Sequence, residues 1–213
     1  MKIVKGWAFP DADDFMAEQM GDDGSYQREH LNAALRWTKG DRLAIDGGAH
    51  IGTWTVPMSQ HFAKVISFEP SPDTYEALAH NVGHLTNVEL RNQALGRAEG
   101  RVTMVLDGFE RAIDLKNTGA RFVREGGLVE RITIDSLDLP ALDFLKLDIE
   151  GGEVDALEGA RKTLLKYRPT VLFEDKHHWK RYGYERKAPH LILASLGAKP
   201  IQRVSMDEIW GWR

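Results

Sequence analysis

Leu43-Ala44-Ile45-Asp46-Gly47-Gly48-Ala49-His50-Ile51-Gly52-Thr53 is an apolar run that passes through one acid into a glycine-rich turn and then into helix-compatible residues. A short apolar run bounded by glycines reads as a buried strand. At the end of the first strand of an open α/β sheet the chain turns sharply, and glycines there let a ligand approach the main chain and the following helix N-terminus. Val65-Ile66-Ser67-Phe68-Glu69-Pro70 repeats the theme of a strand that ends in an acid. A carboxylate at that place can accept both hydroxyls of a ribose in a forked hydrogen bond.

Working outward, Val88 to Leu90, Val102 to Leu106, Phe144 to Asp148 and Thr170 to Glu174 are further strand-like runs, several of them flanked by helical stretches. Ser71-Pro72-Asp73 supplies a cap, a proline at the first helical position and a first-turn acid for a helix running to Asn81. Val154, Leu157, Ala160, Arg161, Leu164 and Leu165 fall on one helical spacing between Gly152 and Pro169. His190 to Leu196 reads as a shorter helix ended by Gly197. This alternation predicts parallel strands joined by crossover helices. Lys199 to Val204 and Met206 to Trp212 lie too close together for a helix between them, which predicts an antiparallel hairpin. Tyr26 to Thr38 predicts an amphipathic helix with Leu31, Ala34, Leu35 and Trp37 on its buried face, and Met104, Leu164, Leu191 and Leu193 also read as core. The expected fold class is α/β and Rossmann-like: a mostly parallel sheet with helices on both faces and an antiparallel edge hairpin. Residues 1–40 are expected to form an irregular segment and a cover helix, and 41–213 a single folded unit.

Of the 213 residues 42% are hydrophobic, enough for a core without covalent staples. No cysteine is present, which excludes a disulfide framework, thiolate zinc and a cysteine nucleophile, and fits a reducing cytoplasm. A cytoplasmic location is expected, because Lys5, Asp11, Asp13 and Asp14 interrupt the first residues before an apolar signal core forms and no later run approaches membrane-spanning length. With 28 Lys and Arg against 32 Asp and Glu the net charge is −4, which argues against holding a polyanion by overall charge.

Two ligand classes fit the turn after Asp46. A dinucleotide fingerprint wants a glycine where Ala49 stands, and a side chain there is expected to crowd a pyrophosphate. S-adenosylmethionine carries no phosphate, so small residues beside its aminoacid arm suffice, and Asp46 can take the ammonium directly or through water. The bland alternative is a tight turn and nothing more, but strand, turn, helix and second acid coincide.

The whole pattern resembles the FkbM family of S-adenosylmethionine-dependent methyltransferases. The resemblance rests on Ile45 to Gly52, Phe68-Glu69-Pro70-Ser71-Pro72, Ala94-Leu95-Gly96, Thr133-Ile134-Asp135-Ser136-Leu137 and Phe144 to Gly151, in that order. It implies a class I methyltransferase fold with the donor at the carboxyl ends of the strands and transfer usually to an oxygen. His50 stands where Asn is commoner, and Gly152 where alanine is more usual; both suit a turn and a helix start. The expected donor contacts are Asp46, Gly47, Gly48, Ala49, His50, Gly52, Glu69 and Pro70, with Gln93 and Ala94 beside Asn92 near the adenine. Tyr26 and Gln27 are expected at the aminoacid end.

Lys146, Asp148 and Glu150 alternate with Leu145, Leu147 and Ile149, which puts three polar groups on one side of a strand and, in an open sheet, at the donor site. Methyl transfer is an in-line displacement that needs an aligned acceptor and a route for its proton. Asp148 is the expected base, with Glu150, Lys146 and Glu174 as further catalytic candidates. The structural alternative is that Glu150 and Glu153 favour a helix N-terminus and Lys146 forms an ion pair. Asp148, Glu150 and Glu174 could also gather a divalent ion with His177 or His178, but their spacing is no metal signature and no metal is expected. Lys176, His177 and Trp179 are the expected acceptor contacts, in a loop to Lys187 whose cations and rings suit a sugar or single-stranded nucleic acid. The reading is O-methylation of a small or saccharide-like acceptor. Its alternatives are a nucleic-acid methyltransferase, a nucleotide-dependent oxidoreductase and a non-catalytic donor-binding module. No membrane partner is expected, and monomer and homodimer both stay open.

Overall fold

The computed structural model describes residues 1–22, 24–106 and 116–212. An antiparallel pair, β1 (Lys2–Val4) and β2 (Trp7–Phe9), precedes a short helix α1 (Phe15–Gln19) and helix α2 (Arg28–Leu35). The alternating core begins with β3 (Leu43–Gly47), α3 (Thr55–His61), β4 (Lys64–Phe68), α4 (Pro72–Val82) and β5 (Val88–Arg91). Four short strands follow: β6 (Gln93–Leu95), β7 (Gly100–Val105), β8 (Phe122–Glu125) and β9 (Val129–Ile132). The chain returns to the core through β10 (Phe144–Leu147), α5 (Glu153–Glu158), α6 (Arg161–Tyr167), β11 (Thr170–Glu174), α7 (Ala188–Ser195), β12 (Lys199–Val204) and β13 (Asp207–Gly211).

The main sheet has the order β12-β13-β11-β10-β3-β4-β5. Strands β11, β10, β3, β4 and β5 run parallel, whereas β13 is antiparallel to β11 and to β12, so the expected edge hairpin forms. Every residue of β3, β10 and β11 is buried, as required of strands covered on both faces. Alternate residues serve the two layers. Ile45, Leu145, Leu147 and Phe173 pack with Val154, Leu157, Leu164 and Leu193, while Ala44, Phe144 and Leu172 pack with Leu31, Ala34, Trp54 and Met58. No helix among the described residues is long and apolar enough to cross a membrane.

Several expectations need correction. The run at Val102 belongs to a second sheet of order β6-β9-β7-β8, not to the parallel one. The helix expected between Gly152 and Pro169 breaks into α5 and α6 at Gly159, where a Cβ would lie 2.0 Å from the Gly96 carbonyl oxygen. Asp135 N–H donates to the Gly159 carbonyl at 2.8 Å, and its carboxylate accepts from the N–H groups of Lys162 at 3.1 Å and Thr163 at 2.8 Å. Asp135 therefore caps α6 from outside, which gives the Thr133 to Leu137 stretch a structural purpose. Helix α2 starts at Arg28 because Gln27 adopts a left-handed φ of 48°. Trp37 and Leu191 are not core: they are 40% and 64% exposed.

Candidate active site

Strands β3, β4, β10 and β11 end at one rim of the sheet, where a cavity opens. Its walls carry Gly48, Ala49 and His50 after β3, Glu69 and Pro70 after β4, and Gln93 and Ala94 of β6. Asp148 and Glu150 after β10, and Glu174 and Lys176 at the end of β11, line the same space, as do Tyr26 and Lys146. Thirteen of the nineteen residues expected at the site meet here; Asp46, Gly47, Gly52, Gln27, His177 and Trp179 do not.

The first turn needs glycine for a reason of packing. Gly48 has φ +75° and a Cβ on it would lie 1.9 Å from the carbonyl oxygen of Asp148, so two strand ends approach as closely as backbone allows. Gly48 and Ala49 both donate their N–H to the Phe68 carbonyl, at 3.0 and 2.9 Å. Gly52 faces Val82 of α4, and Gly47 faces Leu147 and Leu95, so both shape the turn from behind. Ala49 packs with Leu78 and Val82, and the expected crowding of a pyrophosphate by its methyl does not follow from this packing.

Asp46 is fully buried, not presented to a ligand. Its Oδ1 accepts from Lys146 Nζ at 3.0 Å and its Oδ2 from Thr55 Oγ1 at 2.8 Å. Lys146 Nζ also donates to the carbonyls of Gly48 at 2.9 Å and Gly47 at 3.3 Å, which uses its three protons. Burial opposes the ammonium charge, but Asp46 and Asp148 outweigh it and raise the Lys146 pKa. Lys146 thus braces the turn, and Asp46 positions Lys146.

Glu69 is 6% exposed and held edge-on, with Oε2 accepting from His50 N–H at 3.0 Å and Oε1 from Ser71 N–H at 2.9 Å. Each oxygen keeps a lone pair for a ribose hydroxyl. Burial pushes its pKa up, against the opposing pull of His50. The His50 ring lies over the cavity, its Nε2 2.8 Å from Thr118 Oγ1 and 3.1 Å from Asp13 Oδ2. Burial raises the Asp13 carboxyl, but His50, Thr118 and the Met16 N–H together bring it below the usual range. This knot ties the N-terminal segment and the 117–119 turn to the donor wall. Phe15, Met16, Trp54, Thr118, Phe122 and Met104 are also among the lining residues. Sequence reading missed these, and it took Met104 for core; Asn117-Thr118-Gly119 was the one local turn signal.

At the other end, Asp148 follows β10 with its N–H on the Gly47 carbonyl at 3.1 Å. The 149–151 turn is pinned by Glu153, whose Oε1 accepts from Ile149 N–H at 3.0 Å and Gly151 N–H at 3.3 Å while Oε2 is buried without a partner among the described residues. Burial pushes Glu153 up to about 8. Its folded pKa lies above the ordinary 4.5, so its contribution to stability is complete below about pH 4.5 and is lost as pH rises to about 8. Glu174, pushed up to about 9 by burial and then by Asp148, acts in the same direction. Urea unfolding of Glu153→Gln should therefore show a flatter fall than wild type across this window, the difference approaching about 1.4 kcal/mol per pH unit. Parallel curves would refute this reading of Glu153.

Glu150 Oε2 lies 2.7 Å from His178 Nδ1, and Lys176 Nζ lies 2.5 Å from Glu174 Oε1. The other acceptor candidates fall elsewhere. Trp179 is fully buried with its Nε1–H on the Glu185 carbonyl, and His177 sits between Asp175 and Arg186, outside the cavity. Gln27 accepts from Trp54 Nε1 at 3.1 Å, behind Tyr26.

Fold and cavity together define a class I, Rossmann-like methyltransferase domain. The family model for the methyltransferase FkbM domain matches residues 46–200, and the chain belongs to that family. It is similar to the hexuronic acid methyltransferase AglP of Haloferax volcanii, at 28% identity over 145 residues, covering 65% of this chain and 58% of that protein. It is also similar to methyltransferase sdnD of Sordaria araneosa, at 24% identity over 172 residues, covering 63% of this chain and 61% of that protein. The matches thus span less than two thirds of these relatives' length. Among solved structures, the FkbM methyltransferase of Methylobacillus flagellatus KT superimposes with a TM-score of 0.54 at 18% identity, over 88% of this chain and 47% of that one. Precorrin-6y C5,15-methyltransferase of Geobacter metallireducens GS-15 does so with a TM-score of 0.50 at 12% identity, over 97% and 98%. At such identities the likeness is one of fold.

Proposed function

We propose that this chain binds S-adenosylmethionine in the rim cavity and transfers its methyl to a hydroxyl of a saccharide or similar polyhydroxylated acceptor. The observation that carries the reading is that one cavity joins Glu69, placed for a ribose, to the carboxylates of Asp148, Glu150 and Glu174. Donor at the first end leaves the acid-lined end for the acceptor. The hydroxyl proton passes to Asp148, the oxygen lone pair takes the methyl carbon, and the donor leaves as a neutral thioether. Polar walls suit hydroxyls, and the hexuronic acid named for the Haloferax volcanii relative belongs to this acceptor class.

The nucleic-acid alternative loses its main support. In the 176–187 loop Trp179 is core, Tyr182 Oη bonds the backbone of Val123, and Tyr184 Oη donates to Asp155 at 2.6 Å. Trp179 is thus withdrawn from base stacking, and the two tyrosines are tethered by their hydroxyls.

Calorimetry with S-adenosylmethionine, its demethylated product and NAD tests the donor assignment. Saturable binding of the first two is expected, weakened by roughly 10- to 150-fold in Glu69→Ala, because a charge-assisted contact contributes about 1.5 to 3 kcal/mol. Saturable NAD binding with no response to the methyl donor would overturn the proposal.

A further inference from the structure

The acceptor end of the cavity gathers three carboxyl groups. Asp148, Glu150 and Glu174 all line it, whereas Lys146 is committed to Asp46, and Lys176 Nζ contacts Glu174 alone among them at 2.5 Å. Three segments meet here: the turn after β10 brings Glu150, the end of β11 brings Glu174, and the 178–182 turn brings His178. One ligating atom from each of Glu150, Glu174 and His178 lies within 4.8 Å of the other two. Such atoms ring a point that a metal ion could reach with small side-chain adjustments. Glu174 is 6% exposed, so its oxygens are directed into the protein and not into bulk water. Two carboxylates and one imidazole make a mainly hard donor set, suited to Mn²⁺ or Mg²⁺ with coordination positions left for ligand oxygens.

We propose that Glu150, Glu174 and His178 form a divalent-cation site that holds two neighbouring oxygens of the acceptor beside Asp148. Vicinal hydroxyls, or a hydroxyl and an adjacent carboxylate, chelate such an ion, and this fixes which hydroxyl meets the methyl donor. Lys176 occupies one Glu174 oxygen in the ion's place, and its 43% exposed side chain can withdraw to solvent. A second group, Asp175, His190 and Glu208, also brings its ligating atoms within 4.8 Å. There the Arg203 guanidinium bridges two of the three ligands, Asp175 at 3.2 Å and Glu208 at 3.3 Å, where Lys176 engages one, so that group is the more fully neutralised of the two and serves as an internal control.

The cation site stands on geometry, while its role with the acceptor rests on the methyl-transfer reading. The test separates them by titrating Mn²⁺ alone into the full chain, followed by electron paramagnetic resonance, and measuring donor binding independently. One saturable site is expected, competed by Mg²⁺, weakened about tenfold or more by Glu174→Gln and by His178→Ala, and unchanged by Glu208→Gln. Near-ultraviolet circular dichroism checks each fold, and Glu150→Gln replaces Glu174→Gln if the latter unfolds. Absence of saturable uptake up to about 1 mM, or loss of uptake in Glu208→Gln and not in the cavity variants, overturns the site. Failure of donor binding with intact Mn²⁺ uptake would instead remove the proposed methyl transfer.

Discussion

Asp148→Asn should lower methyl transfer by about 100- to 10,000-fold while S-adenosylmethionine binds as in wild type. Asn keeps the size of the side chain, and the backbone N–H that bonds the Gly47 carbonyl at 3.1 Å is untouched, so the turn retains its anchor. What is lost is an acceptor for the hydroxyl proton. A fall confined to kcat, with donor affinity and urea midpoint preserved, assigns Asp148 to the transfer step itself. A fall of less than about tenfold would mean that alignment carries the rate and that the proton leaves to water or to Glu150 or Glu174. Full activity would make Asp148 structural and sink the mechanism. The measurement needs a hydroxylated acceptor; uronic acids and their glycosides are the first panel to screen.

The parallel core was legible because burial on both faces forces mainly apolar runs, and β3, β4, β10 and β11 have them even with Asp46, Ser67 and Lys146 inside. The second sheet was not, because its strands are half-exposed and short, and Gly126 and Gly127, both at positive φ, interrupt the stretch between β8 and β9. Of the site, the walls could be read because each strand end carries its own polar residue. The roof could not: Phe15 comes from the N-terminal segment and Thr118 and Phe122 from the stretch before and into β8, and their meeting depends on the knot of Asp13, His50 and Thr118. Alternation along a strand misled in one instructive way. It grouped Lys146 with Asp148 and Glu150 as a reacting set, yet register pairs Lys146 directly with Asp46 on the neighbouring strand. That cross-strand fact decides the role of both, and no one-strand pattern contains it. The loop after β11 misled similarly, since Trp179 looks like a stacking ring in sequence and is a fully buried core residue.

Lys146→Met should therefore act on stability before chemistry, costing about 3 to 5 kcal/mol, because it leaves the Asp46 carboxylate buried and without its counter-charge. The carbonyls of Gly47 and Gly48 lose the same donor, so the turn at the cavity wall should loosen and donor affinity should fall with stability. Adding Asp46→Asn removes the stranded charge while keeping an oxygen that can accept from Thr55 Oγ1. The double variant should consequently be more stable than Lys146→Met alone, a coupling that a thermodynamic cycle from urea midpoints measures directly. A catalytic lysine predicts the opposite pattern: wild-type stability, wild-type donor binding and a selective loss of turnover. If Lys146→Met behaves that way, the three hydrogen bonds of its ammonium are incidental to its function, and the brace assigned to it is wrong. If stability falls and the second substitution restores part of it, the ion pair holds the glycine turn against the end of β10, and the placement of Asp148 depends on it.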